Sequence, residues 1–76
     1  MSKITDERLS IARTILEKLR DQPMRWTELQ KVTTRIFTYA RFQSTLSWLL
    51  QRSYINRIQR GLYSITDKGR DFLEAI

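Results

Sequence analysis

Cysteine and histidine are both missing from this 76-residue chain. No disulfide can staple it. The ligand sets of His- and Cys-bound zinc, of Cys-bound iron–sulfur clusters and of haem held by His or Cys are excluded. Cysteine nucleophiles, Ser–His pairs and the commonest general base go with them. No paired-carboxylate site stands out either, so an enzyme is not expected, and neither is any cofactor or bound metal. Glycine occurs twice and proline once, and there is no repeat, linker or low-complexity stretch. Also missing are an apolar run of the roughly 18 residues a membrane helix needs, a signal peptide and a clustered polybasic tail. Membrane binding is not expected.

What remains reads as one globular domain over residues 1–76, with 41% hydrophobic, 11% aromatic and 29% charged residues. A chain this short buries only about 60% of its unfolded surface, so its core is small. Nothing marks a small-molecule pocket.

Acidic residues are the most informative scarcity. The chain carries 14 Lys and Arg against 8 Asp and Glu, a net charge of +6. Residues 1–28 hold six basic and five acidic side chains, and residues 67–76 hold two and three. Residues 29–66 hold Lys31, Arg35, Arg41, Arg52, Arg57 and Arg60 and no acid. The whole surplus lies in that block, which suits a polyanion. Five of its six cations are Arg, whose planar fork fits phosphate and base edges.

Helical spacing sets a first helix over residues 6–20, with Leu9, Ala12, Ile15, Leu16 and Leu19 inward. Thr5 or Asp6 caps it, and Asp6 and Glu7 suit its positive end. Ile4 and Ile11 widen the stripe, for a partner seam or for another helix of the same chain. Pro23 ends that segment, and Met24 to Trp26 is long enough for a stub strand only. Thr27 is the expected cap of a short helix over residues 28–33, with Leu29 and Val32 inward. After a turn, Thr38 caps a helix over residues 39–52. Phe42, Leu46, Leu49, Leu50 and Ser53 share one face of it. Ala40, Arg41, Ser44, Ser47, Trp48 and Gln51 share the other, which is small, polar and acid-free.

Residues 54–65 read as a hairpin turning at Gln59, Arg60 and Gly61, with Gly61 supplying positive φ. The inward–outward alternation of its first strand is not clean. Thr66 then caps a helix over residues 67–75. Gly69 inside that helix marks either close backbone contact or simple tolerance.

This order is that of a winged helix-turn-helix, whose second paired helix enters the DNA major groove. The expected class is α+β: a three-helix core, a β-hairpin wing and a short C-terminal helix. Several motifs resemble HxlR- and MarR-like winged-helix regulators. Met24-Arg25-Trp26-Thr27-Glu28-Leu29 looks like their passage from strand into helix. Leu46 to Ile55 resembles their "L-x-x-L-x-x-x-G-x-I" passage from recognition helix to wing, with Ser53 where the family often has Gly. Leu62-Tyr63-Ser64-Ile65-Thr66-Asp67-Lys68-Gly69-Arg70-Asp71-Phe72-Leu73 resembles the "Y-x-I/L-T-x-K-G-x-x-F/L-L" closure of small, archaeal-type winged-helix proteins. The resemblance implies sequence-directed binding of double-stranded DNA by a transcriptional regulator, usually a homodimer, in the cytoplasm on the nucleoid. The long terminal helices that pair many such regulators are lacking.

Position then assigns roles. Arg41, Ser44, Ser47 and Gln51 are candidates to read or line the groove, with Arg41 on guanine or on phosphate. Arg57 and Arg60 on the wing suit the backbone or the minor groove. Lys31, Arg35 and Arg52 suit phosphates. Trp48, Ile4 and Ile11 are candidate partner contacts, with packing under the wing as the alternative for Trp48. Trp26, Phe37, Tyr39 and Tyr63 are expected in the core. The competing functions are a protein-interaction winged helix within a larger assembly and a non-specific nucleic-acid binder.

Overall fold

The computed structural model describes residues 6–76. Its first helix, α1 (Asp6–Leu19), has Asp6 and Glu7 in its first turn and Lys18 in its last, as the helix dipole favours. The buried stripe is Ile11, Ala12, Ile15, Leu16 and Leu19, and Leu9 is half-buried at its margin. This stripe is wide because α1 packs against three other helices and the sheet. Ile11 is therefore no partner contact. It is 1% exposed and lies beside Ala40 and Thr45 at the seam between α1 and the third helix. Thr5 and Ile4 lie outside the described residues.

A two-residue strand, β1 (Met24–Arg25), leads directly into α2 (Trp26–Thr33). Thr27 is not the cap. The N-cap is Arg25, which offers no side-chain acceptor, and the Trp26 N–H donates instead to the Gly61 carbonyl of the hairpin at 2.7 Å. A tertiary hydrogen bond thus satisfies one of the helix's orphan donors and starts the helix two residues early. Leu29 and Thr33 are the buried residues of α2, and Val32 is half-buried.

Thr38 caps α3 (Tyr39–Gln51), its hydroxyl accepting from the Arg41 N–H at 3.3 Å. Phe42, Thr45, Leu46 and Leu49 are buried, and Leu50 is half-buried. Ser53 belongs to the exit of α3 and not to its apolar face. It is exposed with φ +64, and its N–H donates to the Leu50 carbonyl while that of Tyr54 donates to Leu49. That pair of bonds is a Schellman ending, and Ser53 takes the left-handed conformation that glycine usually supplies.

Strands β2 (Ile55–Gln59) and β3 (Leu62–Ile65) pair antiparallel, and β1 adds to the far edge of β3, giving the order β1-β3-β2. The register shifts between Arg57 and Gln59. This bulge leaves Ile58 out of the ladder and explains the unclean alternation of β2. The turn is two residues, Arg60 and Gly61, not three, and Gly61 takes φ +74. Thr66 then caps α4 (Asp67–Ala75) by accepting from the Gly69 N–H at 3.0 Å. Its own hydroxyl donates to the Ser53 carbonyl at 2.6 Å, tying the end of α3 to the start of α4. Leu29, Ile55 and Tyr63 complete the core around the α1 and α3 stripes.

Candidate nucleic-acid interface

The exposed side of α3 follows from its buried one. With Phe42, Thr45, Leu46 and Leu49 inward, helical geometry turns Ala40, Gln43, Ser44, Ser47 and Gln51 outward, and all five are exposed. None is charged. Gln43 was not among the residues assigned from sequence, although its spacing from Ala40 and Ser47 is helical. Its amide donates to the Tyr39 hydroxyl at 2.9 Å. Tyr39 is itself 47% exposed, with its ring 6.2 Å from that of Trp26. It is thus a surface residue at the start of α3 and not a core one, whereas Tyr63 is buried and Trp26 and Phe37 are half-buried.

Arg41 lies on the flank of α3 that faces α1. Its Nη1 pairs with Glu7 Oε1 at 2.5 Å, both side chains remaining well exposed. One residue along α1, Arg8 donates to the Ser44 hydroxyl at 2.8 Å. That hydroxyl accepts from Arg8, which leaves its own proton to be donated elsewhere. The Arg8 guanidinium also sits 5.7 Å from the centre of the Trp48 ring, and that of Arg52 sits 5.6 Å from it. Each such cation–π contact contributes about 0.5–1 kcal/mol at an exposed site. Arg8 was missed in the sequence because only the packing of α1 on α3 brings it to this face.

Trp48 is half-buried. Its ring lies 5.7 Å from Tyr54 and 5.8 Å from Phe72, and those two stack at 4.2 Å with 9° between planes. The indole is thus tucked against the base of the hairpin and α4, the packing alternative weighed for it above.

The remaining cations of the acid-free block are all exposed. Lys31 and Arg35 are exposed on α2 and on the turn into α3, Arg52 at the exit of α3, Arg57 on β2 and Arg60 at the hairpin turn. Two further exposed apolar side chains, Ile36 on the turn before α3 and Ile58 at the bulge, also lie in the acid-free block. The hairpin tip is tied to the start of α2 by the Trp26–Gly61 bond, and the Trp26 ring in turn meets Tyr39 at the start of α3.

A helix pair joined by a short turn, flanked by an antiparallel hairpin, defines a winged helix-turn-helix domain. The family pattern described as winged helix-turn-helix matches residues 7–76, and the chain belongs to that family of DNA-binding domains. The match is to the winged helix-turn-helix family as a whole and assigns no HxlR- or MarR-like subtype. No curated protein and no solved structure matches the chain. No helix among the described residues is long and apolar enough to cross a membrane.

Proposed function

We propose that this domain binds double-stranded DNA in a sequence-directed way, as a small transcriptional regulator. The observation that carries the reading is the outward face of α3: small, polar and acid-free, with Arg8 hydrogen-bonded to Ser44 at its α1 flank. A solvated helix of a small domain usually mixes acids and bases on that face. Here Ala40, Ser44 and Ser47 leave room for close approach to base edges, and Gln43 and Gln51 carry amides long enough to reach them. Gln pairs bidentately with adenine, and a serine hydroxyl accepts or donates to any base. Arg57 and Arg60 on the wing hold the backbone or enter the minor groove, and Lys31, Arg35 and Arg52 take phosphates.

Selection of bound duplexes from a random pool tests this directly. The expected result is enrichment of one short site, with affinity falling by about 0.9 log units per log unit of salt for each phosphate contact released. Recovery of no preferred site with a steep salt response would point to non-specific binding. A flat salt response would overturn the reading altogether. Sedimentation of the complex counts the copies bound, and a palindromic site with two copies would establish the homodimer.

A further inference from the structure

Two side chains of α1 reach onto the reading flank of α3, and they carry opposite charges. Arg8 adds a cation beside Ser44 and Trp48. Glu7 does the reverse: its carboxylate sits on the guanidinium of Arg41, a residue at the N-terminal end of the recognition helix. No acid occurs anywhere in residues 29–66, so this negative charge is delivered to the binding face from outside it. Both partners stay open to solvent, Arg41 at 59% and Glu7 at 44% side-chain exposure. The pair is therefore accessible to a competing anion.

We propose that Glu7 is an intramolecular competitor for DNA at Arg41, so that engagement of Arg41 by the duplex is an exchange of one anion for another. The proposal rests on the DNA-binding reading above and adds a residue that controls it. A carboxylate and a phosphate oxygen present the same acceptor geometry to an Arg fork. In the free protein Glu7 neutralises Arg41 and lowers the attraction of this flank for any backbone. A duplex must displace Glu7 to gain Arg41: a phosphate, which every sequence offers, only replaces one anion by another, whereas a guanine edge adds a bidentate contact that recovers what the exchange costs. Glu7 thus weakens indiscriminate binding more than matched binding, which is how a repulsive element sharpens specificity.

The test is a double-mutant cycle on binding to a labelled duplex of mixed sequence, about two helical turns long, at about 0.1 M salt. The proteins are wild type, Glu7→Gln, Arg41→Gln and the double variant, with Glu17→Gln as a control for loss of an α1 acid elsewhere. Thermal unfolding of each verifies the fold, which an exposed pair supports only weakly. Glu7→Gln is expected to bind up to about 5-fold more tightly than wild type, the upper end of what one exposed ion pair contributes. Glu17→Gln should gain less, and the Glu7→Gln gain should vanish when Arg41 is already Gln. A gain no larger than that of Glu17→Gln, or one that persists in the Arg41→Gln background, would overturn the proposal while leaving DNA binding intact. Failure of every variant to bind the duplex would overturn the DNA-binding reading and this inference together.

Discussion

Gly69 and the carbonyl of Tyr54 are in such close approach that no side chain fits between them. A Cβ at Gly69 would overlap the Tyr54 oxygen and lie 2.9 Å from Ile65 Cγ1. The same carbonyl accepts the Thr66 N–H at 3.1 Å, so it cannot move aside without loosening the start of α4. This settles why α4 tolerates glycine in its first turns. The helix is seated against the exit of α3 at backbone-to-backbone distance.

Gly69→Ala is therefore expected to destabilise the domain although alanine is the better helix former. The intrinsic gain of about 1 kcal/mol is outweighed by a clash with rigid backbone, for which a loss of about 3 kcal/mol is the right scale. Urea unfolding followed by far-ultraviolet circular dichroism measures it. An unchanged or raised midpoint would show that α4 shifts freely on the hairpin base.

Ser53 leads to the opposite expectation. It holds φ +64 at the end of α3, where a β-carbon costs about 1–2 kcal/mol. Its side chain is exposed, and the two Schellman bonds use only backbone atoms. Ser53→Gly should raise stability by about 1 kcal/mol, after the extra chain entropy of glycine is deducted. The same urea titration tests it, and a lowered midpoint would mean that the hydroxyl contributes more than the backbone strain costs.

These two residues also show where the sequence was legible and where it was not. The helices, the hairpin and their order follow from spacing and caps, because apolar periodicity and the Thr38 and Thr66 hydroxyls act within one element. The start of α2 does not follow, since its first N–H is satisfied by Gly61, far along the chain. Tyr39 is misplaced, and Ile11 is left open between a partner and another helix of the chain, for the same kind of reason: burial of each depends on which helix crosses it. Within the candidate interface, Ser44, Ser47, Gln51 and the wing arginines could be placed by local pattern. The contacts of Arg8 and Glu7 could not, because they exist only once α1 lies against α3.

Trp48 distinguishes a packing role from a docking role. Its ring meets Tyr54 and Phe72 and carries two guanidiniums on its faces. Trp48→Ala should therefore lower stability by about 2 kcal/mol, less than the 3–5 kcal/mol of a fully buried tryptophan because the indole is only half-buried. Calorimetry or urea unfolding checks this. A variant with unchanged stability that loses binding to a protein partner would place Trp48 at an interface instead.

The arginines of α3 and of the wing should separate by what each does to specificity. Arg60 sits at the hairpin turn, exposed and within the acid-free block. A turn cation of this kind meets phosphates, which are the same on every sequence. Arg60→Ala is expected to weaken all duplexes alike and to reduce the salt slope by about 0.9. Arg41 stands at the start of α3 and pairs there with Glu7, and on the proposed reading it meets a base edge once Glu7 is displaced. Arg41→Ala should then narrow the gap between the selected site and a scrambled one by about 1–3 kcal/mol, the discrimination of one bidentate guanine contact. Binding of both duplexes by both variants, measured across a salt series, gives the two quantities together. If Arg60→Ala alters the preference and Arg41→Ala leaves it intact, the reading element is the wing, and α3 supplies only the hold.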